Sequence, residues 1–215
     1  MKSLILKDLY NIGHNVRSLV ISMIFCAGIL FFTTGGEGFV YMSTIIFTMM
    51  ILTTFAFDEN CKWNHYAMTM PVSKKDIVVS KYAVMIIFTA TGAVVGLLVG
   101  AVFAAASKSA EMNTENMLEM LTNAAAAFLI GIVFGSMEIP LVFRFGTEKS
   151  RLLMFVSFLV PAALFFGIYK LLVTAGVEFT DDLFLRILCF SPLFAVVWVY
   201  VMFKISCAVF ERREI

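Results

Sequence analysis

The chain has 215 residues, of which 61% are apolar and 14% are charged, with a net charge of +1 and a mean hydropathy of +0.95. Soluble proteins carry about 25% charged residues, so this composition excludes an ordinary soluble domain. The charges sort along the chain between apolar blocks and form no basic face, and we therefore expect no nucleic-acid partner.

Six apolar blocks are long enough to cross a bilayer, whose hydrocarbon core of about 30 Å needs roughly 20 helical residues. The expected spans cover approximately residues 15–33, 38–57, 82–106, 124–143, 152–176 and 183–209. Runs such as FLIGIVFG are apolar on every side, as helices in lipid are. The sequence therefore predicts an all-α protein, with one transmembrane domain over residues 1–215 and six transmembrane helices.

The first fourteen residues are too polar to span a membrane. On a helix they place apolar side chains on one face and two charged side chains elsewhere: Leu4, Ile5, Leu9 and Tyr10, against Lys2 and Asp8. This pattern favours a short amphipathic helix in the membrane interface over a frayed tail.

Residues 58–81, DENCKWNHYAMTMPVSKKDIVVSK, form a densely polar segment between the second and third spans. We expect a short helix bearing Trp63 and Tyr66, a break at Pro71, and a second helix capped by Ser73 with Asp76 three residues later. Trp, Tyr and Met are typical of protein interfaces. An aromatic anchor at the lipid interface, beside ordinary lysines, explains the composition equally well.

Glycines at helical spacing mark a close helix contact in the third and fourth spans: Gly92, Gly96, Gly100, Gly131 and Gly135. Small residues on one stripe let helix backbones approach each other. Packing within the chain is favoured over a dimer interface, because every multispan protein needs such contacts.

The outer segment, residues 107–123, carries Glu111, Glu115 and Glu119 in one helical row. It predicts an external amphipathic helix whose acidic row is a solvated face rather than a site for cationic cargo.

Prolines 140, 161 and 192 lie within or near spans four to six and are expected to bend them. Glu138 and Arg186 are the candidate intramembrane polar residues, because a charged side chain in a span is a functional candidate. Both lie within about two turns of an interface, where long side chains can reach water.

The basic residues indicate an orientation. With the N-terminus inside, thirteen of the sixteen lie on the inner side, and only Lys108, Lys170 and Arg186 lie on or near the outer side. Inner loops of membrane proteins are enriched in Lys and Arg. We therefore expect a multi-pass protein of the plasma membrane with both termini cytoplasmic.

No catalytic or nucleotide-binding motif is apparent. The string Gly146-Thr147-Glu148-Lys149-Ser150 lacks the glycines of a phosphate-binding loop, and no Ser/His/Asp set, Cys/His set or HExxH occurs. The four cysteines lie far apart and indicate packing rather than a metal site or disulfides. We expect no enzymatic activity and no cofactor or metal in this chain, with energy supplied from outside it.

Two strings carry a family resemblance: FDENCKWNHYAMTMPVSKKDIVVSKY at residues 57–82 and IPLVFRFGTEKSR at residues 139–151. They resemble the loops after spans two and four of small ABC-2 type permeases of Gram-positive bacteria. The start, MKSLILKDLYN, is similar too. Within that family the chain looks like the membrane subunits of amphipathic-peptide exporters, such as the phenol-soluble modulin exporter and lantibiotic self-protection systems. The chain departs from the family pattern at two positions and keeps the charge at both: Lys74 stands where Arg is frequent, and Arg144 stands where Lys is frequent.

The resemblance implies a half-transporter. Two permease subunits, identical or paralogous, would bind two cytoplasmic ATPase subunits that hold ATP and Mg. Residues 2–14 would be an elbow helix, and residues 58–70 a cytoplasmic coupling helix between spans two and three. The ATPase-coupling residues carried over are Asp58, Glu59, Lys62, Trp63, His65, Tyr66, Met68 and Pro71, with residues 144–151 a lesser contact.

We therefore expect the permease subunit of an ATP-driven exporter of amphipathic or hydrophobic peptides. The alternatives are a peptide-sequestering immunity or scaffold protein of the membrane, and an independent secondary transporter or channel.

Overall fold

A computed structural model of the chain describes residues 2–13, 16–33, 36–67, 69, 73–106, 114–174 and 181–212. All secondary structure in these ranges is helical. The helices are α1 (Lys2–Gly13), α2 (Val16–Thr33), α3 (Gly36–Asn60), α4 (Trp63–Ala67), α5 (Lys74–Ala106), α6 (Thr114–Phe145), α7 (Thr147–Thr174) and α8 (Asp181–Glu211).

Four helices are long and apolar enough to cross a membrane, over Gly38–Asn60, Lys74–Phe103, Met117–Phe145 and Phe190–Glu211. Helices α1 and α2 meet at 64° and would together make a fifth span. The expected fifth span falls on α7, many of whose side chains lie outside the described residues. The all-helical prediction is confirmed, whereas the number of six spans stays a prediction.

The start of α5 agrees with the prediction of a helix that is capped by Ser73 and runs on into the third span. Helix α5 begins at Lys74, so the last part of the polar segment is continuous with the third span. The predicted cap is confirmed: the Ser73 hydroxyl accepts from the Asp76 amide at 3.1 Å, and the Asp76 carboxylate accepts from the Ser73 amide at 3.2 Å.

Helix α6 begins at Thr114, so residues 114–123 are its first turns and not a separate external helix. Glu119 is exposed there, and Glu111 lies outside the described residues. The row of acidic residues continues directly into an apolar helix, because nothing between residues 114 and 145 interrupts helical hydrogen bonding strongly enough to end it. Pro140 lies inside the helix.

The core is built on α3, α5, α6 and α8. Helix α3 has its most extensive contact with α5, and α6 packs on all three of the others. The largest cluster of buried apolar side chains reaches from Ile12 of α1 to Phe210 of α8. It lies where α3, α6 and α8 end and where α5 and α7 begin, and we call this end of the molecule the charged end.

Candidate functional site at the charged end

Four charged side chains from three helices meet at the charged end, and we call them the ionic quartet: Lys7 and Asp8 of α1, Asp58 of α3 and Lys81 of α5. Lys81 Nζ lies 2.9 Å from Asp8 Oδ2 and 2.6 Å from Asp58 Oδ2. Lys7 Nζ lies 2.5 Å from Asp58 Oδ1 and 3.2 Å from Asp8 Oδ1. Each cation therefore contacts both anions, and the four charges sum to zero.

The quartet is largely closed to water. Asp8 is 1% exposed, Lys81 2% and Asp58 5%, whereas Lys7 remains partly accessible. Lys81 also contacts the Thr54 hydroxyl at 3.3 Å. Asp8 Oδ1 has its ion pair with Lys7 but no aligned hydrogen bond. Buried charges persist only when they are paired, and removing one partner typically costs about 3–5 kcal/mol.

The quartet determines which row of α1 faces the core. The buried row of this helix is Leu4, Asp8 and Ile12, whereas Tyr10 is 77% exposed. The sequence pattern placed Asp8 away from the apolar face that holds Leu4, whereas the structure buries Asp8 in one row with Leu4. The reason is that Lys81, a residue 73 positions later, supplies a buried partner for the Asp8 carboxylate.

Helix α4 continues from α3 after a sharp turn, in which Lys62 takes a left-handed backbone conformation with φ of 49°. Its Trp63 ring is half-buried beneath Lys7, whose Nζ lies 4.3 Å from the ring centroid. Tyr66 lies beside Trp63, with the two ring centroids 5.6 Å apart, and is 57% exposed. Helix α4 thus presents Tyr66 outward, next to the exposed Lys62, and attaches Trp63 to the quartet.

The predicted coupling residues therefore divide. Lys62, Tyr66 and Glu59 are exposed, whereas Asp58 is buried in the quartet. The side chain of His65 and all of Met68 and Pro71 lie outside the described residues. Asp58 can act on a partner only through the side chains it pairs with.

Glu59 connects the two polar loops. Its carboxylate accepts from the Thr147 backbone amide at 2.9 Å and from the Thr147 hydroxyl, and so caps the first turn of α7. Gly146 precedes this turn with φ of +80°, and a Cβ atom there would lie 3.1 Å from Glu59 Oε1. Glycine is needed for both reasons. The end of α3 is thereby joined to the start of α7.

Four of the five glycines singled out contact neighbouring helices of the same chain. A Cβ atom on Gly92 or Gly96 would lie 2.9 Å from a backbone Cα atom of α3, at Thr44 and Val40 respectively. A Cβ atom on Gly131 would lie 2.6 Å from Thr89 Cγ2, and one on Gly135 would lie 2.7 Å from Thr48 Cγ2. Gly100 is buried.

A polar contact compensates for the proline in α6. Pro140 has no amide hydrogen to donate to the carbonyl of Ser136, four residues earlier. The Tyr82 hydroxyl of α5 lies 3.2 Å from that carbonyl and 2.9 Å from the Ser206 hydroxyl of α8. Three helices are thus connected beside the proline.

The two candidate intramembrane residues lie apart from the quartet contacts. Glu138 of α6 is 2% exposed, and neither carboxylate oxygen has a hydrogen-bond partner among the described residues. Arg186 belongs to α8, and its side chain is outside the described part of the chain.

Sequence reasoning missed Lys7, Asp8 and Lys81 as a site. A signal was present, because Asp8 stands four residues from both Leu4 and Ile12, and Lys81 stands beside Tyr82 and three residues after Val78. Charges in apolar rows indicate buried pairing. Their identity as partners could not be read from helix periodicity.

The residues at the charged end can contact a partner through the exposed side of α4, and they connect that side to the long helices. Within the described ranges, no three His, Cys, Asp or Glu side chains lie close enough together to hold a metal ion. An exposed short helix, α4, stands at the charged end. Its Trp63 contacts Lys7 of α1, and Lys7 in turn pairs with Asp58 of α3.

The family model described as ABC-2 family transporter protein matches residues 3–211. No curated protein and no solved structure matches the chain.

Proposed function

Because the chain belongs to the ABC-2 family of transporter membrane proteins, as the match over residues 3–211 establishes, we propose that it is the permease subunit of an ATP-driven exporter of amphipathic or hydrophobic peptides. The family membership makes it a multi-pass membrane subunit of a transporter. Its direction of transport, its substrate and its specific partners belong to the proposal.

The observation that supports a docking role is the exposed surface of α4. Tyr66 and the preceding Lys62 are exposed, whereas the helix is attached to the core by Ala67, which is 1% exposed, and by Trp63. Exposed aromatic side chains on a rigid base are typical anchors of protein interfaces. A cytoplasmic ATPase that binds this surface would push on the ends of α3 and α5.

In the proposed complex, two permease subunits form the pathway and two ATPase subunits hold ATP and Mg. In this proposal the chain has six spans, and α1 and α4 lie on the cytoplasmic side, with α1 as the elbow helix and α4 as the coupling helix. Closure of the ATPase pair would shift α4 and reshape a cavity between the permease subunits. This chain needs no cofactor of its own for that step.

The test uses the full-length chain purified in detergent with its associated proteins. We expect an ABC ATPase to co-purify in equal amount and its hydrolysis to rise with an amphipathic helical peptide. Tyr66→Ala should lower ATPase recovery at least severalfold, because large anchor residues cost about 2 kcal/mol or more when truncated.

Tyr200→Ala is the matched control, since Tyr200 is also exposed, at 60%, but lies on α8 within a candidate span. Recovery equal to wild type in Tyr66→Ala would reject α4 as the docking site. Peptide binding without any associated ATPase would favour a sequestering membrane protein. Peptide transport driven by an ion gradient alone would favour a secondary transporter.

A further inference from the structure

We propose that Lys7 and Asp8 of α1 are positioning residues for transport, which tie α1 to α4 so that a displacement of the coupling surface moves the N-terminal helix with it. The inference rests on the proposed function and extends it to residues outside the docking surface. Its basis is the ionic quartet together with the contact between Lys7 and Trp63.

The first step concerns what holds α1 in place. Only Leu4 and Ile12 accompany Asp8 as buried residues of this twelve-residue helix. Ile5 and Leu9 pack against the core as partly buried side chains, but apolar contact is non-directional and does not by itself fix one rotation of a helix. The ion pairs from Asp8 to Lys81 and from Lys7 to Asp58 are directional and largely desolvated. They therefore set the position of α1 on α3 and α5.

The second step concerns the connection to α4. Lys7 is the most accessible member of the quartet, and its ammonium group contacts two carboxylates and the Trp63 ring at once. A cation over a tryptophan face contributes about 0.5–2 kcal/mol, depending on how desolvated it is. If Trp63 moves, Lys7 must either follow with α1 or lose that contact.

The third step concerns the path by which a force on α4 reaches α1. Asp58 and Trp63 stand five residues apart on either side of the turn at Lys62, so α3 and α4 meet α1 through one shared cation. A force on the exposed side of α4 can then reach α1 through Lys7. The quartet and the contact between Lys7 and Trp63 thus link α4 to α1.

The quartet also dictates the best variant. Any single neutralisation leaves an unpaired buried charge, which destabilises the fold by itself. The double variant Lys7→Met/Asp8→Asn removes one positive and one negative charge, and it leaves the 2.6 Å pair between Lys81 and Asp58 intact. It therefore releases α1 without leaving net charge in the core.

The experiment compares this double variant with wild type in the purified permease–ATPase complex. We expect the ATPase to be recovered within about twofold of wild type, because the exposed residues of α4 are unchanged. Peptide stimulation of ATP hydrolysis and peptide transport should fall about 5- to 150-fold, the usual range of coupling between sites. Lys7→Arg, which keeps the charge and the ring contact, should retain both.

The matched control is Lys2→Met/Glu119→Gln, which also removes one charge of each sign, both from exposed positions. If the double variant folds, binds the ATPase and keeps wild-type stimulation, the quartet is structural only and the inference is overturned. If the double variant does not fold, Trp63→Leu replaces it, because that change leaves all four charges paired and removes the ring contact with Lys7. Wild-type stimulation in that variant overturns the inference equally.

The two proposals fail in different ways. If wild type itself recovers no ATPase, the proposed function is rejected, and the inference falls with it. If wild type recovers a peptide-stimulated ATPase but the release of α1 changes nothing, the proposed function stands and only the inference is rejected.

Discussion

Glycine at positions 131 and 135 sets how closely α6 approaches α3 and α5. The threonines opposite them, Thr48 and Thr89, are buried and lie 3.1 Å apart through their hydroxyl oxygens. Each of these hydroxyls also bonds to a carbonyl four residues earlier in its own helix. The seam is therefore polar but internally satisfied, and it has no room for a methyl group. Hydrogen bonds of this kind are modest in membranes, so close packing carries most of the contact.

We predict that Gly131→Ala destabilises the protein by about 1–3 kcal/mol, because the added methyl group overpacks a filled contact. The measurement is thermal unfolding in detergent. Gly28→Ala is the control, since among the described residues no atom beyond the neighbouring backbone of its own helix lies within 4 Å of a Cβ at that position. It should leave stability unchanged or raise it by up to about 1 kcal/mol through helix propensity. Equal stability of the two variants would contradict the role given to the seam.

Helix α6 shows how an element tolerates a proline when its neighbours supply the missing donor. Pro140 leaves the Ser136 carbonyl without its helical partner, and the Tyr82 hydroxyl of α5 lies against that carbonyl. The Ser206 hydroxyl of α8 can donate to the Tyr82 hydroxyl at 2.9 Å, which leaves the phenolic proton for the Ser136 carbonyl. In a membrane an unsatisfied backbone group is costly, so the three helices depend on one another here.

We predict that Tyr82→Phe destabilises the protein by about 1–3 kcal/mol, the cost of a buried acceptor without a partner. In a Pro140→Ala background the same change should cost at least about 1 kcal/mol less, because the substituted alanine returns an amide donor to the Ser136 carbonyl. Thermal unfolding of the four proteins measures this difference, and Tyr10→Phe at an exposed position is the control. Additive effects would show that the hydroxyl does not serve the proline gap.

At the scale of the whole molecule, the charged end is where chain segments distant in sequence converge. The quartet joins α1 to α3 and α5, the Glu59 carboxylate joins α3 to α7, and Lys74 Nζ donates to the Glu211 carbonyl of α8 at 3.3 Å. Phe55, Phe143 and Phe210 pack edge-on or tilted beneath these contacts. Both polar loops therefore stand on one connected base, as a surface that receives a partner would require.

We predict that this end faces the cytoplasm. Cys61 is exposed there, and a membrane-impermeant maleimide should label it in inside-out vesicles but not in intact cells. Ser109→Cys in a Cys61→Ser background should show the opposite pattern, because residue 109 follows the other end of α5 in the sequence. Labelling of Cys61 from outside would reverse the orientation and reject the docking of a cytoplasmic ATPase.

Much of the local structure was predictable from the sequence because it depends on near neighbours. The reciprocal cap of Ser73 and Asp76, the break between α4 and α5 and the helical nature of every apolar block follow from spacing within a few residues. The fourth span was expected from residue 124, whereas its helix, α6, already begins at Thr114. Its first turns are polar, and a polar stretch outside the hydrocarbon can continue a membrane helix as well as end it.

What the sequence by itself determined is the class of protein: its composition requires a membrane, and its loop strings resemble the family to which the match assigns it. Only the tertiary structure decided that Asp8 and Lys81 face each other, that Asp58 is buried while Tyr66 is exposed, and that Tyr82 serves Pro140. The physical reason is that periodicity ranks the faces of one helix by polarity. The rotation each helix finally takes depends on which charges and hydrogen-bond partners its neighbours present, and those partners lie dozens of residues away.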